Sequence, residues 1–451
     1  MTEEPEPRTK EELVKHLKEL DKPLTVDDVL DILGSTVKHD DVNKTINLLI
    51  MLLNYTEEDQ INLGYLAESS TGKSYIPLEL SWYFPKEDVI KLGYTSPQTF
   101  YYESGTLIPD PSDTRDVEED KKRKIRVVDL HQKILVFLDQ PHDQLLQRLR
   151  SLLSHDEKSI VSKFVNKREK SGNRTETVII EGFPTVIFCS AKFRMEEQEK
   201  TRLLLLSPEV EQEKLRETIT LKIEKESDRA GFHKRMMEDP KRNLLATRIW
   251  RIKREGIGYI NIPEELREQI LQQFLEDHKF LIARHQRDIS RLLAIIKGHA
   301  LLNLMHRSRL QDAIIVNHED VEAGFSLYYQ ISEANELGLP PEIYEVFTKL
   351  KPHLEERESG ITRKEFQSFY FRQYFKVIGR ERATDILKAL DTVGLIVEQP
   401  DPLDRRIMRY VLPECGTTRD DDDPHSEATH IFSGGPHSSN TLFSSEKEVN
   451  L

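Results

Sequence analysis

Cysteine is scarce in this sequence: Cys189 and Cys415 are the two in 451 residues. They stand in separate segments with no Cys-x-x-Cys or Cys/His spacing, so neither a disulfide frame nor a zinc ribbon is supported. Long apolar runs are missing too, and no stretch approaches the ~20 residues that a membrane-crossing helix needs. The opening Met1-Thr-Glu-Glu-Pro-Glu-Pro7 is acidic where a secretory signal is basic and then apolar. The expectation is a soluble, intracellular (cytoplasmic) chain with no membrane partner. Positive charge is in deficit, with 65 Lys and Arg against 79 Asp and Glu and a net charge of -14. That balance argues against a nucleic-acid coat over the whole surface but leaves room for local basic clusters. The length predicts two or three domains, and 37% hydrophobic with 32% charged residues suits a helix-rich protein with charged amphipathic surfaces.

What is present begins with Leu66-Ala67-Glu68-Ser69-Ser70-Thr71-Gly72-Lys73-Ser74, an Ala/Gly-x-x-x-x-Gly-Lys-Ser phosphate loop between an apolar run and an amphipathic segment. In such a loop the backbone N–H groups wrap a triphosphate tail, the lysine reaches its outer phosphates and the following hydroxyl ligates Mg²⁺. Ala67 through Ser74 are therefore the expected ATP-binding residues, with Lys73 on the phosphates and Ser74 on the metal. Ala67 replaces the usual first glycine, while Thr71-Gly72 still permits a tight turn. Downstream, Lys133-Ile-Leu-Val-Phe-Leu-Asp139-Gln140 is a continuous apolar run ending in an acid, as a buried parallel strand reads. Asp139 is then expected to hold the Mg²⁺ shell through water. Gln140 occupies the position where hydrolytic relatives carry a glutamate. An amide can orient the attacking water but cannot take its proton, so Asp143 or a neighbouring subunit supplies the base, or turnover is slow.

Two extended runs, Ser159 to Val165 and Thr175 to Ile180, flank a segment with Ser171-Gly172 as turn signal. They predict a hairpin whose tip bears Lys167, Arg168, Lys170 and Arg174. Another buried strand, Thr185 to Ser190, ends in a small polar residue. Glu196 to Arg202 reads as a helix running into the strand Leu203 to Leu206. Upstream of the loop, helices are expected around Val26 to Leu33 and Val42 to Leu53. Residues 103–124 lack periodicity and read as a loop, and residues 211–262 are a charged stretch gathering Arg229, Lys234, Arg235, Lys241, Arg242, Arg248, Arg251, Lys253 and Arg254, for which a solvated surface is the base expectation. From Glu264 to Arg309 the apolar spacing suits a helical lid.

This order of parts resembles hexameric AAA+ helicases, most of all the minichromosome maintenance (MCM) group, with viral superfamily 3 helicases as a second relation. Val37-Lys-His-Asp-Asp-Val-Asn-Lys44 looks like the group's Gly-His-x-x-Val-Lys segment. Arg287-Asp-Ile-Ser-Arg-Leu-Leu-Ala-Ile-Ile-Lys-Gly-His299-Ala300 is similar to its second sensor helix, and Val316-Asn-His-Glu-Asp-Val-Glu322 to the segment closing the same lid. The likeness covers about residues 26 to 330. It implies that Ser190 is the first sensor, where the group has asparagine, and that Arg202 is the arginine finger offered to the next subunit. It also implies that Arg287 is the second sensor and that Lys167, Arg168 or Lys170 grips DNA in a central pore. The group's amino-terminal zinc and DNA-binding modules have no counterpart here, a plan that suits a mobile-element or viral replication protein by analogy.

After Pro340-Pro341, helical faces at Ile343 to Leu354 and Ala383 to Val393, a Thr362-Arg-Lys-Glu365 capping box and a closing hairpin spell a winged helix. If it takes duplex DNA, Arg380, Arg382 and Lys388 face the groove and Arg405, Arg406 and Arg409 contact phosphate from the wing. The expected fold class is thus α/β, a P-loop AAA+ ATPase core with a helical lid followed by a small α+β winged-helix domain. The expected segments are 1–25, mobile; 26–210, the core; 211–335, helical region and lid; 336–414, winged helix; and 415–451, an acidic disordered tail. The expected function is an ATP- and Mg²⁺-dependent, ring-forming DNA helicase or replication-initiation motor with single-stranded DNA in its pore. The alternative is a nucleotide-gated DNA-binding or loading factor with little hydrolysis, and a nucleotide-dependent transcription regulator is a weaker third.

Overall fold

The structure is a computed structural model that describes residues 22–68, 70–93, 105–110, 114, 118, 122, 124–139, 144–145, 147, 157–166, 174–190, 202–278, 280–357, 359–402 and 404–413. It divides into two compact units, Met1–Thr348 with Arg372–Lys376, and Lys349–Phe371 with Val377–Leu451.

The first unit is mixed α/β. It opens with α1 (Val26–Leu33) and α2 (Asp41–Leu52), both at the expected positions, and then β1 (Asn62–Leu66), α3 (Tyr75–Leu80) and β2 (Val89–Leu92). Next come β3 (Thr106–Pro109), β4 (Lys124–Asp129), β5 (Ile134–Phe137), β6 (Ser159–Asn166), β7 (Arg174–Glu181), β8 (Thr185–Ser190) and β9 (Leu203–Leu206). Strands β2-β5-β8-β1-β9 form one five-stranded sheet in which every pair is parallel. Its strands are near-continuous apolar runs, the pattern of a sheet covered on both sides, with successive residues going to opposite faces. Leu63, Tyr65, Ile134, Val136, Ile187, Cys189, Leu204 and Leu206 join one core with the helices. Leu66, Leu135, Phe137, Val186, Phe188, Leu203 and Leu205 join a second core with Val128, Val178 and Ile180 of β4 and β7. That second core lies beneath a four-stranded sheet, β3-β4-β7-β6.

Strands β6 and β7 are the expected hairpin, antiparallel from Ser159↔Glu181 to Asn166↔Arg174. Segment 103–124 is not wholly a loop. β3 pairs antiparallel with β4 from Thr106↔Val127 to Pro109↔Lys124. β3 is an edge strand, largely exposed, so it carries no apolar alternation to announce it and tolerates a proline at its end.

The charged stretch after residue 211 folds as α4 (Gln212–Ser227), α5 (Arg229–Glu238) and α6 (Pro240–Glu255). It is not uniformly solvated: Arg242 and Arg248 are each only 2% exposed. The Arg242 guanidinium lies 4.6 Å from the Trp82 ring and 5.0 Å from that of Tyr83, and donates to Thr36 Oγ1 at 2.9 Å. Stacking on two aromatic faces offsets part of the cost of taking a charge out of water.

After β10 (Tyr259–Asn261) come α7 (Glu264–Asp277) and α8 (His285–Leu302), then β11 (Arg309–Leu310), β12 (Ala313–Ile315) and α9 (His318–Glu336). Two segments singled out from the sequence meet here. His299 Nδ1 lies 2.6 Å from Asp320 Oδ1, and the Arg307 guanidinium straddles the same carboxylate, with both contacts at 2.7 Å. Asp320 also caps the start of α9 by accepting from Asn317 N–H at 3.0 Å. α8 lies against α2 at Gly298, where a Cβ would fall 2.8 Å from Leu49 Cβ and 2.9 Å from its carbonyl oxygen.

The outer edge of β9 is held by side chains. Asn335 of α9 accepts from Leu205 N–H at 2.8 Å and donates to Leu205 O at 3.0 Å. Arg291 of α8 donates to Leu203 O at 2.6 Å.

α10 (Pro341–Glu355) leads into the second unit, which holds β13 (Ile361–Thr362), α11 (Arg363–Tyr374) as far as Phe371, α12 (Arg380–Thr392), β14 (Val397–Pro400) and β15 (Met408–Val411). Its sheet runs β13-β15-β14, antiparallel throughout. The capping box is present: Thr362 N–H donates to Glu365 Oε2 at 2.8 Å and Glu365 N–H to Thr362 Oγ1 at 3.3 Å. Ile343, Val346, Phe347, Leu350 and Leu354 are buried as expected, as are Ala383, Ile386, Leu387 and Leu390.

Two substitutions test this packing. Gly298→Ala should lower unfolding free energy in urea by about 1–3 kcal/mol, because the backbone of Leu49 cannot yield. Asp320→Ala should cost about 3–5 kcal/mol, since it strands a buried guanidinium.

Candidate functional site

β1 runs straight into the predicted phosphate loop. Leu66, its last residue, pairs with Ser190, the last of β8, and Ala67 N–H donates to Ser190 O at 3.2 Å. Ser207 Oγ donates to Leu66 O at 2.7 Å, so the strand end is tied on both sides. The chain then turns through Ser70 at φ 69° and Gly72 at φ 97°. Gly72 is where the turn requires glycine, because of its positive φ, and a Cβ there would meet nothing within 4 Å. Thr71 Oγ1 donates to Glu68 O at 2.9 Å and Lys73 Nζ to the same carbonyl at 3.2 Å, closing the loop on itself. Ser74 precedes α3 and occupies its N-cap position. Ser69 lies outside the described residues.

Asp139 stands two residues beyond β5. β5 pairs with β8 at Phe137↔Phe188, so continuing the pairing by two residues brings Asp139 level with Ser190 and hence with Leu66. β8 separates β5 from β1, which puts Asp139 roughly 10 Å across the sheet from the loop strand, two inter-strand spacings. Asp139 is exposed and Ser190 is 1% exposed. Loop, acid and hydroxyl therefore share the carboxyl edge of a parallel sheet, the edge at which open α/β sheets bind ligands. Gln140 and Asp143 lie outside the described residues.

Arg202 occupies the other edge. It precedes Leu203, which pairs with Asn62, the first residue of β1, so it sits roughly 15 Å along the strand direction from the loop of its own chain. Arg287 is exposed near the start of α8, one turn before Arg291, whose guanidinium reaches Leu203 O. Arg284, just before α8, donates to the carbonyl oxygen of Asn335, whose side chain holds Leu205, so toward its start α8 approaches the loop end of β9, and Arg202 alone is placed at the opposite end.

Two neighbours of the loop carried no sequence signal. Cys189 is buried beside it, with Sγ 3.5 Å from Lys73 O. Burial pushes its thiol up to about 12, against a smaller lowering by the Ser74 hydroxyl, so it is no nucleophile. Tyr75, the first residue of α3, donates through its hydroxyl to Thr36 O at 2.9 Å. Thr36 and the adjoining Val37–Lys44 segment thus lie against the loop's helix. That segment is held by Asp40, which is 1% exposed, accepts from Glu209 N–H at 2.7 Å and is paired with Lys214.

Lys167, Arg168 and Lys170 lie outside the described residues, as does the side chain of Arg174. So do the expected helix before Arg202 and both chain ends, 1–21 and 414–451. In the second unit Arg380 and Lys388 are exposed on α12 while Arg382 is half-buried. At 3.6 residues per turn Arg382 lies well round the helix from the other two, so the three do not form one face. Arg405 and Arg406 are exposed in the connection between β14 and β15. Arg409 departs from its expected phosphate role: its guanidinium is engaged by Asp401 and reaches Ser359 O at 3.3 Å, which ties the hairpin to the start of the sheet.

Set against protein-family models and against curated proteins, the chain matches none. Among the described residues no helix is long and apolar enough to cross a membrane.

One pH dependence follows from the knot that holds α8 to α9. Burial raises the Asp320 carboxyl, but hydrogen bonds from His299, Arg307 and the Asn317 backbone outweigh it and leave it below its usual value. A depressed folded pKa contributes stability above the unfolded value near 4 that is lost as pH falls through the folded value. Urea midpoints from pH 6 to pH 2.5 should therefore fall more steeply for the native chain than for Asp320→Asn.

Proposed function

We propose that this chain is an ATP-binding AAA+ protein of MCM-like type that assembles as a ring and works on DNA as a helicase or replication-initiation motor. The observation that carries the nucleotide is the single sheet edge shared by the turn at Lys73 and Ser74, the Asp139 carboxylate and the Ser190 hydroxyl. The strand order supports the class, because β8, with its polar end, lies between the strand leading to the loop and the strand leading to the acid. Gly72 is compatible with a phosphate group there, since its positive φ permits the tight turn and no side chain stands over it.

In this reading the loop backbone and Lys73 hold the phosphates, and Lys73 exchanges the Glu68 carbonyl for a phosphate oxygen. Ser74 and Asp139 would hold the magnesium ion. Magnesium, when bound, supplies the positive charge that neutralises the phosphates as the terminal P–O bond breaks. Ser190 orients water at the third corner. Arg202 stands at the end of the sheet away from its own loop, which suits service to a neighbouring copy, and in this reading Arg287 joins it in stabilising charge that develops in that copy's site. In the sequence between β6 and β7, Lys167, Arg168 and Lys170 are the residues that this reading assigns to a strand in the pore, where contacts to phosphate are blind to sequence and weaken with salt. The second unit, read as a winged helix from its β13-α11-α12-β14-β15 order, offers Arg380, Lys388, Arg405 and Arg406 to duplex DNA.

Gln140 favours a second reading, a nucleotide-gated loading factor that closes on ATP with little hydrolysis. Steady-state hydrolysis with and without single-stranded DNA, beside sizing with ATP, separates the two: a motor is stimulated by the strand and a loading factor is not. Lys73→Ala should abolish nucleotide binding, and undiminished ATP affinity in that variant would remove the loop assignment. Gln140→Glu should speed hydrolysis. An unchanged rate would assign the proton to another group.

A further inference from the structure

A cluster where α7, α8 and α9 come together has no part in this chemistry. His278 directly follows α7, His285 opens α8 and Glu336 closes α9. Three helices thus deliver two imidazoles and a carboxylate whose ligand atoms all lie within 4.8 Å of one another. His278 Nδ1 is 2.7 Å from the carbonyl oxygen of Phe274, one turn back on α7. A carbonyl only accepts, so Nδ1 carries the proton. Nε2 of the same ring faces Glu336 Oε1 at 3.1 Å. An ionised carboxylate also only accepts, and a neutral imidazole would turn a lone pair onto it. Something positive belongs there, either a second proton or a metal ion.

The second imidazole favours the metal. The His285 ring lies 4.4 Å from that of His278, centroid to centroid, a second imidazole that a metal ion would use and a lone proton on His278 does not. As ligands, both rings are neutral and both lone pairs are used. The hydrogen bond from Ile282 N–H to His285 Nδ1, at 3.4 Å, is longer than usual, so the Nδ1 lone pair can be freed at little cost. The bond from Nδ1 of His278 to a backbone carbonyl is the support that metal-bound histidines use to fix ring and tautomer. Phe274 stacks on that ring at 4.2 Å and holds its plane. The site is shielded, with 9% of the His278 side chain and 19% of the Glu336 side chain exposed.

We propose that His278, His285 and Glu336 bind one zinc-class divalent cation, which staples the connection between α7 and α8 to the end of α9. Two nitrogens and one carboxylate are the donors of three-ligand zinc sites that leave a fourth position for water. Calcium and magnesium prefer oxygen alone. The ion would also fix the first turn of α8, two residues before Arg287, but its binding does not depend on the nucleotide reading.

The test uses the full-length chain without a histidine tag, stripped with a chelator and titrated with Co²⁺ for visible ligand-field absorption and with Zn²⁺ by calorimetry. One site per chain is expected, weakened about tenfold or more in Glu336→Gln and in His285→Ala. Circular dichroism checks that both variants fold, and the remaining histidines, present in every variant, serve as the background. Equal cobalt binding by the native chain and Glu336→Gln would overturn the proposal. So would a native chain that takes up neither ion, which would make the cluster an imidazolium–carboxylate pair.

Discussion

The parallel pairing of β8 with β1 on one side and β5 on the other is the constraint on which the rest depends. Register in a parallel sheet is fixed by a run of main-chain hydrogen bonds, and a slip of one residue would exchange the two buried faces. Here such a slip would drive Leu135, Phe137, Val186 and Phe188 out of one core and into the other. The apolar alternation therefore sets which residues end each strand, and Leu66, Ser190 and Asp139 emerge at one level as a result. The arrangement of the candidate site is a by-product of how the sheet fills its two cores.

A second set of contacts decides where the helical part sits. Arg291 reaches the backbone of β9 while paired with Asp288, and His299 and Arg307 converge on Asp320. These charged groups are nearly or wholly out of water, so their value lies in geometry: each is satisfied in one arrangement of α8 and α9 and costly in others. Gly298 adds a steric term by allowing α8 to approach the backbone of α2. Together they give the arginines at the start of α8 a fixed relation to the start of β9.

Much of this was legible in the sequence, for identifiable reasons. Continuous apolar runs at residues 134–137, 185–190 and 203–206 could only be strands covered on both faces, and the Gly-Lys-Ser turn announced itself by spacing. His299 and Asp320 were noticed through a family likeness, and their contact is found as a hydrogen bond. The edge strand β3 was illegible because an exposed strand has no apolar alternation to show. Buried Arg242 and Arg248 were illegible for the opposite reason, since nothing local distinguishes an arginine stacked on Trp82 from one in solvent. The neighbours of the loop at Thr36 and Cys189 were hidden because they are brought there by tertiary contacts between segments far apart in the chain.

The treatment of β9 has a consequence for assembly. A terminal strand with its peptide groups bare is a template for another chain to extend the sheet, and proteins guard against it. In β9 the amide and carbonyl of Leu205 are taken by a single asparagine side chain and the carbonyl of Leu203 by an arginine. Asn335 mimics one rung of a missing strand and closes the ladder. Another strand arriving at that border would find these peptide groups already engaged and could not extend the sheet there.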